Sequence, residues 1–326
     1  MDISVIICTY NPDDRIFLRC LKAVQSQQLL SLQVECIIVD NNSIYPIAER
    51  SYVKEFLENF PNARCITETK QGLTYSRLCG YRASSAEIIV FFDDDNEPAS
   101  DYLITLSNAF SANKTIGAIG PGIVKVDYID GSNSYLEECK GIFQEYGLEE
   151  DRFGNDTSGY EAYYPYGTGL SIRREAFELY TNFLEENSKF ITDRTGNSLA
   201  SGGDIQIVWV CVKNGFLAGR LKKLLISHLI NGHKANEAYI RKLVFGCAKS
   251  YQPARILVFP DEKNKLSHTV ESFRLRKIAK QIIKFRNPYR IHKIAELLGS
   301  VVGHYEALDR KVPLFYRTLI AYFKLK

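Results

Sequence analysis

Three consecutive carboxylates, Asp93-Asp94-Asp95, follow Glu87–Phe92, the most apolar of the strand-like runs. Three ionised aspartates side by side repel one another unless a cation sits among them. Hard oxygen donors of this kind select Mg²⁺ or Mn²⁺. Taken alone, the triplet also fits a solvated acidic turn, because Asp is common in turns. Its company favours the metal: Thr9-Tyr10-Asn11 closes the first apolar run and Asp40-Asn41-Asn42-Ser43 closes the second. Polar residues at several strand ends together mark an open parallel sheet that binds a ligand beyond its carboxyl edge. A divalent cation, Mn²⁺ or Mg²⁺, is therefore expected as cofactor, held within the cluster Asp93–Asp95.

The elements that must position these residues alternate from the start of the chain. Ile3–Cys8 is a near-continuous apolar run, as a strand buried on both faces should be. Asn11-Pro12 reads as N-cap and first residue of a helix with Phe17, Leu21 and Val24 on one face. Val34–Val39, Ala63–Thr67 and Glu87–Phe92 are predicted strands, and Ile47–Asn59 and Leu73–Ser84 predicted helices. This alternation predicts an α/β fold with an open, mostly parallel sheet flanked by helices. Residues 122–165 show no clear period and read as a variable insertion. A strand over Tyr166–Ile172, helices over Arg173–Tyr180 and Asp204–Val212, and a strand over Phe216–Leu229 follow. Beyond about residue 235 the chain reads as helix.

Composition narrows the class. With 45% hydrophobic and 24% charged residues the chain has ordinary globular values, which argues against disorder. No apolar run approaches the ~18 residues needed to span a bilayer. Met1–Tyr10 lacks a basic n-region, so a cytoplasmic protein, peripheral at most on the membrane, is expected. The eight cysteines are scattered without a C-x-x-C pair and are read as reduced. Residues 263–326 hold 15 Lys and Arg against 4 Asp and Glu, a net of +11 that leaves −8 on the rest. A basic tail on an acidic body signals an anionic partner, either a membrane surface or nucleic acid.

The segments SVIICTYN, IIVDNNS, GLTYSRLCGYRAS, IIVFFDDDNEP, YGTGLSIRREAF and SGGDIQIVWVCVKNGF follow one another in this order. In that order they resemble the family 2 glycosyltransferases of the GT-A fold, over roughly residues 2–230. The resemblance implies transfer of a sugar from a nucleoside diphosphate sugar, with inversion at the anomeric carbon. It implies a catalytic domain over 1–232, with a nucleotide-sugar half to about 120 and an acceptor half beyond, and a helical region over 233–326. Thr9, Tyr10 and Asn11 resemble the loop lining the nucleoside, and Asp40 the carboxylate that accepts from the base. Gly72 and Arg77 match the stretch flanking base and ribose. Asp93, Asp94 and Asp95 match the D-x-D region that contacts ribose and metal-bound diphosphate.

Inverting transfer also needs a general base beside the acceptor hydroxyl. Asp204 matches the aspartate of the family's G-E-D motif, although Gly203 stands where glutamate is usual. A helix N-terminus favours the ionised carboxylate that a base requires; the plain alternative is a helix cap. His228 stands where relatives often have histidine, and reads as a third metal ligand, a phosphate contact or a structural residue. Gly167 and Gly169 would let backbone approach donor or acceptor closely. Tyr160, Tyr163, Tyr164 and Tyr166 read either as a stacking wall for an acceptor sugar or as packing.

The resemblance further implies a saccharide or lipid-linked acceptor, as in glycan synthesis at the cell surface, with UDP the favoured nucleotide. The Q-x-x-R-W motif of the processive synthases is missing and the only tryptophan is Trp209, so a single sugar per encounter is expected. In the tail, Phe273, Ile278, Ile282 and Phe285 interleave with Arg276, Lys277, Lys280 and Lys284, and Val312–Phe323 adds further apolar residues. This is either an interfacial surface for anionic lipid or a small helical core with solvated lysines. Two other classes compete. A sugar-nucleotide nucleotidyltransferase needs a glycine-rich phosphate loop after the first strand, and CTYNPDD has no glycine. A nucleic-acid-binding protein would leave the acidic strand ends unexplained, so no nucleic acid is expected.

Overall fold

The computed structural model describes residues 1–187, 193–194, 199–267, 276–278, 280 and 288–325. They form two compact units, Met1–Glu186 with Ile207–Gly232, and Asn187–Gln206 with His233–Lys326.

The first unit is built on β1 (Ile3–Thr9), α1 (Asp14–Gln25), β2 (Val34–Asp40), α2 (Ser51–Asn59), β3 (Ala63–Thr67), α3 (Leu73–Ala83) and β4 (Ile88–Asp93). Then come β5 (Asn96–Pro98), α4 (Tyr102–Ala112), β6 (Ile116–Tyr128), α5 (Ser134–Glu138), β7 (Tyr146–Gly147) and β8 (Arg152–Gly154). It closes with β9 (Ser171–Arg173), α6 (Arg174–Glu186), the end of α7 (Gly203–Lys213) and β10 (Leu217–Ile230). One sheet runs in the order β3-β2-β1-β4-β9-β6-β10-β5, with β7 on β6 and β8 on β10.

The α/β, mostly parallel reading holds. β1, β2, β3 and β4 are parallel neighbours, as are β6 and β10. Short β9 runs antiparallel to both β4 and β6, and the short strands β5, β7 and β8 also pair antiparallel, with β10, β6 and β10. Every residue of β1 and β2 is buried, which is why their sequences are largely apolar, and the polar pair inside them, Ser4 and Glu35, is hydrogen-bonded together. Phe17, Leu21 and Val24 of α1 enter one core with Val5 and Ile7 of β1, Ile38 of β2 and Val90 of β4. Phe92 meets Tyr102 of α4 edge-on at 5.4 Å.

β10 is irregular against β6. Leu221 stands opposite Pro121 and Leu225 opposite Ile123, so β10 takes four steps where β6 takes two.

Three local expectations need correction. Helix α1 is capped by Asp13, whose side chain accepts from the Arg15 amide, not by Asn11. Asn11 is instead left-handed, with φ 47°, and faces another loop. The stretch expected as one helix over Ile47–Asn59 is a 3₁₀ turn, Ile47–Glu49, followed by α2. The strand expected over Tyr166–Ile172 begins only at Ser171, because Leu170 closes a turn back to Gly167.

The second unit is helical: α8 (Glu237–Val258), α9 (Glu262–Ser267), α10 (Pro288–Ala307) and α11 (Leu314–Tyr322). Its core joins Phe245, Ile278, Ile294, Leu298, Val301, Tyr316 and Ile320. Ile278 is thus a core residue, while Arg276, Lys277 and Lys280 are exposed. Phe273, Ile282, Lys284 and Phe285 lie outside the described residues. All eight cysteines are free, and burial pushes the thiols of Cys8 and Cys36 well up. Among the described residues no helix is long and apolar enough to cross a membrane.

Candidate functional site

Parallel pairing brings three predicted residues to one level. Thr9 stands opposite Asp40 in the β1–β2 register, and Cys8 opposite Asp93 in the β1–β4 register. At that edge the Thr9 hydroxyl donates to Asp94 Oδ2 at 2.6 Å, tying the end of β1 to the acidic triplet. Asp93 and Asp94 are half-buried and Asp95 is buried.

The loops beyond β1 and β2 are laced together. Asn11 Oδ1 accepts from the Ile44 amide, and the Asn11 amide donates to Ser43 Oγ, both at 2.9 Å. Asp40 is buried and accepts from the amides of Ser43 at 2.9 Å and Ile47 at 3.1 Å, so the carboxylate shapes its own loop. Asn41, not singled out from sequence, is also buried. Its Oδ1 accepts from the Gly72 amide at 2.8 Å, and its Nδ2 donates to the carbonyls of Lys70 at 2.7 Å and Glu68 at 3.1 Å. Gly72 precedes α3 with φ 137°, a conformation that side chains disfavour. Arg77, one turn into α3, is buried with its guanidinium over the Phe91 ring at 5.6 Å. Tyr10 is exposed beside this edge.

Asp95 meets His228 through short β5. Asn96 pairs with His228 in the β5–β10 register, and the Leu229 amide donates to the Asp95 carbonyl at 2.9 Å. His228 Nε2 then lies 3.5 Å from Asp95 Oδ2. Its Nδ1 lies 2.8 Å from the Phe143 carbonyl, an acceptor only, so Nδ1 must carry a proton and donate. In the neutral ring, the Nε2 lone pair consequently faces a carboxylate oxygen, an arrangement a cation relieves. A ligating histidine commonly donates its other N–H to a backbone carbonyl in this way. Asn96, buried, completes the support: its Nδ2 donates to Asp95 Oδ1 at 3.0 Å and its Oδ1 accepts from the Asp93 amide at 3.2 Å.

Among the described residues no group of three or more His, Cys, Asp or Glu side chains forms a metal cluster. The expected trio of Asp93, Asp95 and His228 is therefore brought together as a close pair, Asp95 with His228. Such a pair suits Mg²⁺ or Mn²⁺ when substrate phosphates supply the remaining oxygens, since these ions are often held by one or two protein groups.

Gly169 has a packing reason for its identity. With φ 68°, a Cβ there would stand 2.3 Å from Ile226 Cδ1, and its carbonyl accepts from Tyr102 Oη at 2.9 Å. Of the four tyrosines, Tyr164 is buried and Tyr160 exposed. Tyr166 packs on Arg220, whose guanidinium is also stacked on Tyr146, at 4.0 and 4.3 Å from the two ring centres. Arg220 Nε donates to the Tyr164 carbonyl at 2.8 Å, so the tyrosines belong at least in part to a packed cluster.

In the second unit, Asp204 is the second residue of α7, half-buried, and its Oδ1 accepts from the Ile205 amide at 2.9 Å. The amides of Gly202 and Gly203 go elsewhere, to the buried carboxylate of Asp193, at 2.7 and 2.8 Å. Asp193 gave no signal in the sequence, where it looks like an ordinary loop acid.

The family model described as glycosyl transferase family 2 matches residues 4–180. The glucosyl-dolichyl phosphate glucuronosyltransferase of Haloferax volcanii is 26% identical over 180 residues, 54% of this chain and 54% of that protein. The glycosyltransferase AglE of the same organism is 32% identical over 102 residues, 31% of this chain and 33% of that protein. The chain spans about half or less of the length of these curated relatives. Among solved structures, TarS 1–349 of S. aureus aligns over 96% of this chain and 93% of that one, at 12% identity and a TM-score of 0.49.

Proposed function

Because the chain belongs to glycosyl transferase family 2 and is a glycosyltransferase, we propose that it transfers one sugar from a nucleoside diphosphate sugar, with inversion, to a saccharide or lipid-linked saccharide. The observation that supports this most is the level finish of β1, β2 and β4, with Thr9 opposite Asp40 and Cys8 opposite Asp93. UDP is the proposed nucleotide. The name of the Haloferax volcanii glucuronosyltransferase contains a dolichyl phosphate, which supports a lipid-linked acceptor here.

In this reading Thr9, Tyr10, Asn11, Asp40, Gly72 and Arg77 surround the nucleoside. Asp93 and Asp94 lie along the ribose and diphosphate. Asp95 and His228 would hold Mn²⁺ or Mg²⁺, which when bound offsets the charge that develops on the leaving diphosphate. Gly169 lies on the donor-sugar side, where its missing side chain serves packing as well. Asp204 takes the proton from the acceptor hydroxyl while that oxygen bonds to the anomeric carbon and the bond to the diphosphate oxygen breaks. The charge left by the departing diphosphate then resides on its terminal oxygen.

The test is donor hydrolysis by the full chain across UDP-, GDP- and dTDP-sugars, with Mn²⁺, Mg²⁺ or EDTA. Release of nucleoside diphosphate from at least one donor is expected. If no donor is hydrolysed and calorimetry detects no nucleoside diphosphate binding, the reading fails.

A further inference from the structure

Helix α11 carries apolar residues on two sides, and only one of them has a core to enter. Tyr316 and Ile320 are buried in the helical core. On the other side Leu314, Phe315 and Tyr322 are 70%, 55% and 72% exposed. Phe315 and Tyr322 are seven residues apart, hence on one face. These three are a third of the nine large hydrophobic residues exposed among the described residues, gathered in nine positions.

Beside this face lies a cavity of about 480 Å³ lined by Lys242 of α8 and by Arg317, Ile320, Ala321 and Lys324. Its lining holds three cations, two aliphatic side chains and no acid. Among the described residues none of the three cations is ion-paired. From Arg310 to Lys326 the sequence holds five Lys and Arg and no Asp or Glu. Three like charges lining one cavity repel one another until an anion enters, and the aliphatic side chains of Ile320 and Ala321 beside them suit an anion attached to a hydrocarbon.

We propose that this pocket binds the phosphate headgroup of an anionic lipid while Leu314, Phe315 and Tyr322 enter the headgroup–acyl boundary, docking the helical unit on an anionic bilayer. Both halves of the signal are needed, because apolar contact and charge attraction each give weak interfacial binding alone. The docking does not depend on the transfer chemistry proposed above, and its failure leaves that chemistry standing.

The experiment is co-sedimentation of the full chain with phosphatidylcholine vesicles, with and without phosphatidylglycerol. It is run at about 0.1 M and 1 M salt, where exposed charges are screened within roughly 10 and 3 Å. Binding is expected only with phosphatidylglycerol and only at the lower salt. Each basic residue at an anionic surface contributes about fivefold, so K242Q/R317Q/K324Q should lower partitioning on the order of 100-fold. F315S/Y322S should lower it as well, and both variants should melt at the wild-type temperature and hydrolyse donor at the wild-type rate. If the triple variant does not melt cooperatively, R317Q alone carries the test, with about a fivefold loss expected. Equal binding to neutral vesicles, or wild-type partitioning by the charge variants, overturns the proposal. So does a single-stranded oligonucleotide that binds through these same three charges while vesicles do not, which would identify the partner as nucleic acid.

Discussion

Asn41 holds Gly72 by its backbone: the side-chain oxygen accepts the Gly72 amide at 2.8 Å, while its own amide serves two carbonyls of the same loop. One buried residue at the end of β2 thereby fixes where α3, and with it Arg77, begins. Asn41→Asp keeps the shape but places a carboxylate against the carbonyls of Glu68 and Lys70. Leaving buried groups unsatisfied costs about 1–3 kcal/mol each. A lower melting temperature and weaker UDP binding by calorimetry are expected together. UDP affinity unchanged from wild type would mean that the Gly72 loop does not touch the nucleotide.

Metal dependence is tested at Asp95 and His228, which are 3.5 Å apart. Donor turnover should disappear in EDTA and return with Mn²⁺ or Mg²⁺. Asp95→Asn and His228→Ala should each weaken Mn²⁺-dependent UDP binding, with far-UV circular dichroism unchanged. Full turnover in chelator would sink the metal reading.

Catalysis separates Asp204 from the binding residues. Asp204→Asn retains an acceptor oxygen for the Ile205 amide but cannot take a proton. Transfer should fall by roughly 10²–10⁴, the usual worth of a positioned base, with donor affinity nearly unchanged. Asp40→Asn should do the reverse, weakening nucleotide binding more than the chemical step. Transfer at the wild-type rate by Asp204→Asn would direct the search to carboxylates of the segment 122–165, which reads as a variable insertion: Glu137, Glu138 and Glu161.

Acid stability has a specific source in Glu35. Burial pushes its carboxyl up, but hydrogen bonds from the Ser4 hydroxyl, the Ser85 amide and hydroxyl, and Arg64 outweigh burial and hold it at about 2. A carboxyl held low in the folded state stabilises the fold above its ordinary titration range. That contribution is lost as pH falls from about 4.5 toward 2. Glu35→Gln should therefore lower the melting temperature at neutral pH and flatten its decline across this window. A decline as steep as wild type would place the acid-sensitive groups elsewhere.

Strands β1, β2 and β4 could be read from the sequence to within a residue because both faces are buried and nothing polar interrupts them near the edge. The polar strand ends were legible for the same reason: polarity returns where burial stops. Contacts made only by tertiary pairing were not. Three-residue β9 carries no mark of its direction, and three-residue β5 none of its role in setting Asp95 beside His228. Asn11 looked like a helix cap because its bond to the Ile44 amide joins loops far apart in sequence. Asn96 stood in plain view after the aspartates, yet only the fold shows that it bonds Asp95 and Asp93.

The extra steps of β10 between Leu221 and Leu225 number two, and that evenness has a consequence for how the chain can vary. Side chains alternate along a strand, so an even excess leaves each later residue on its original side, whereas an odd one reverses them all. Gaining or losing a single codon at Lys222 or Lys223 would swing Ile226 out of the core and His228 away from Asp95 in the same stroke. Two codons would leave both where they are. At this rim, length can drift only by parity.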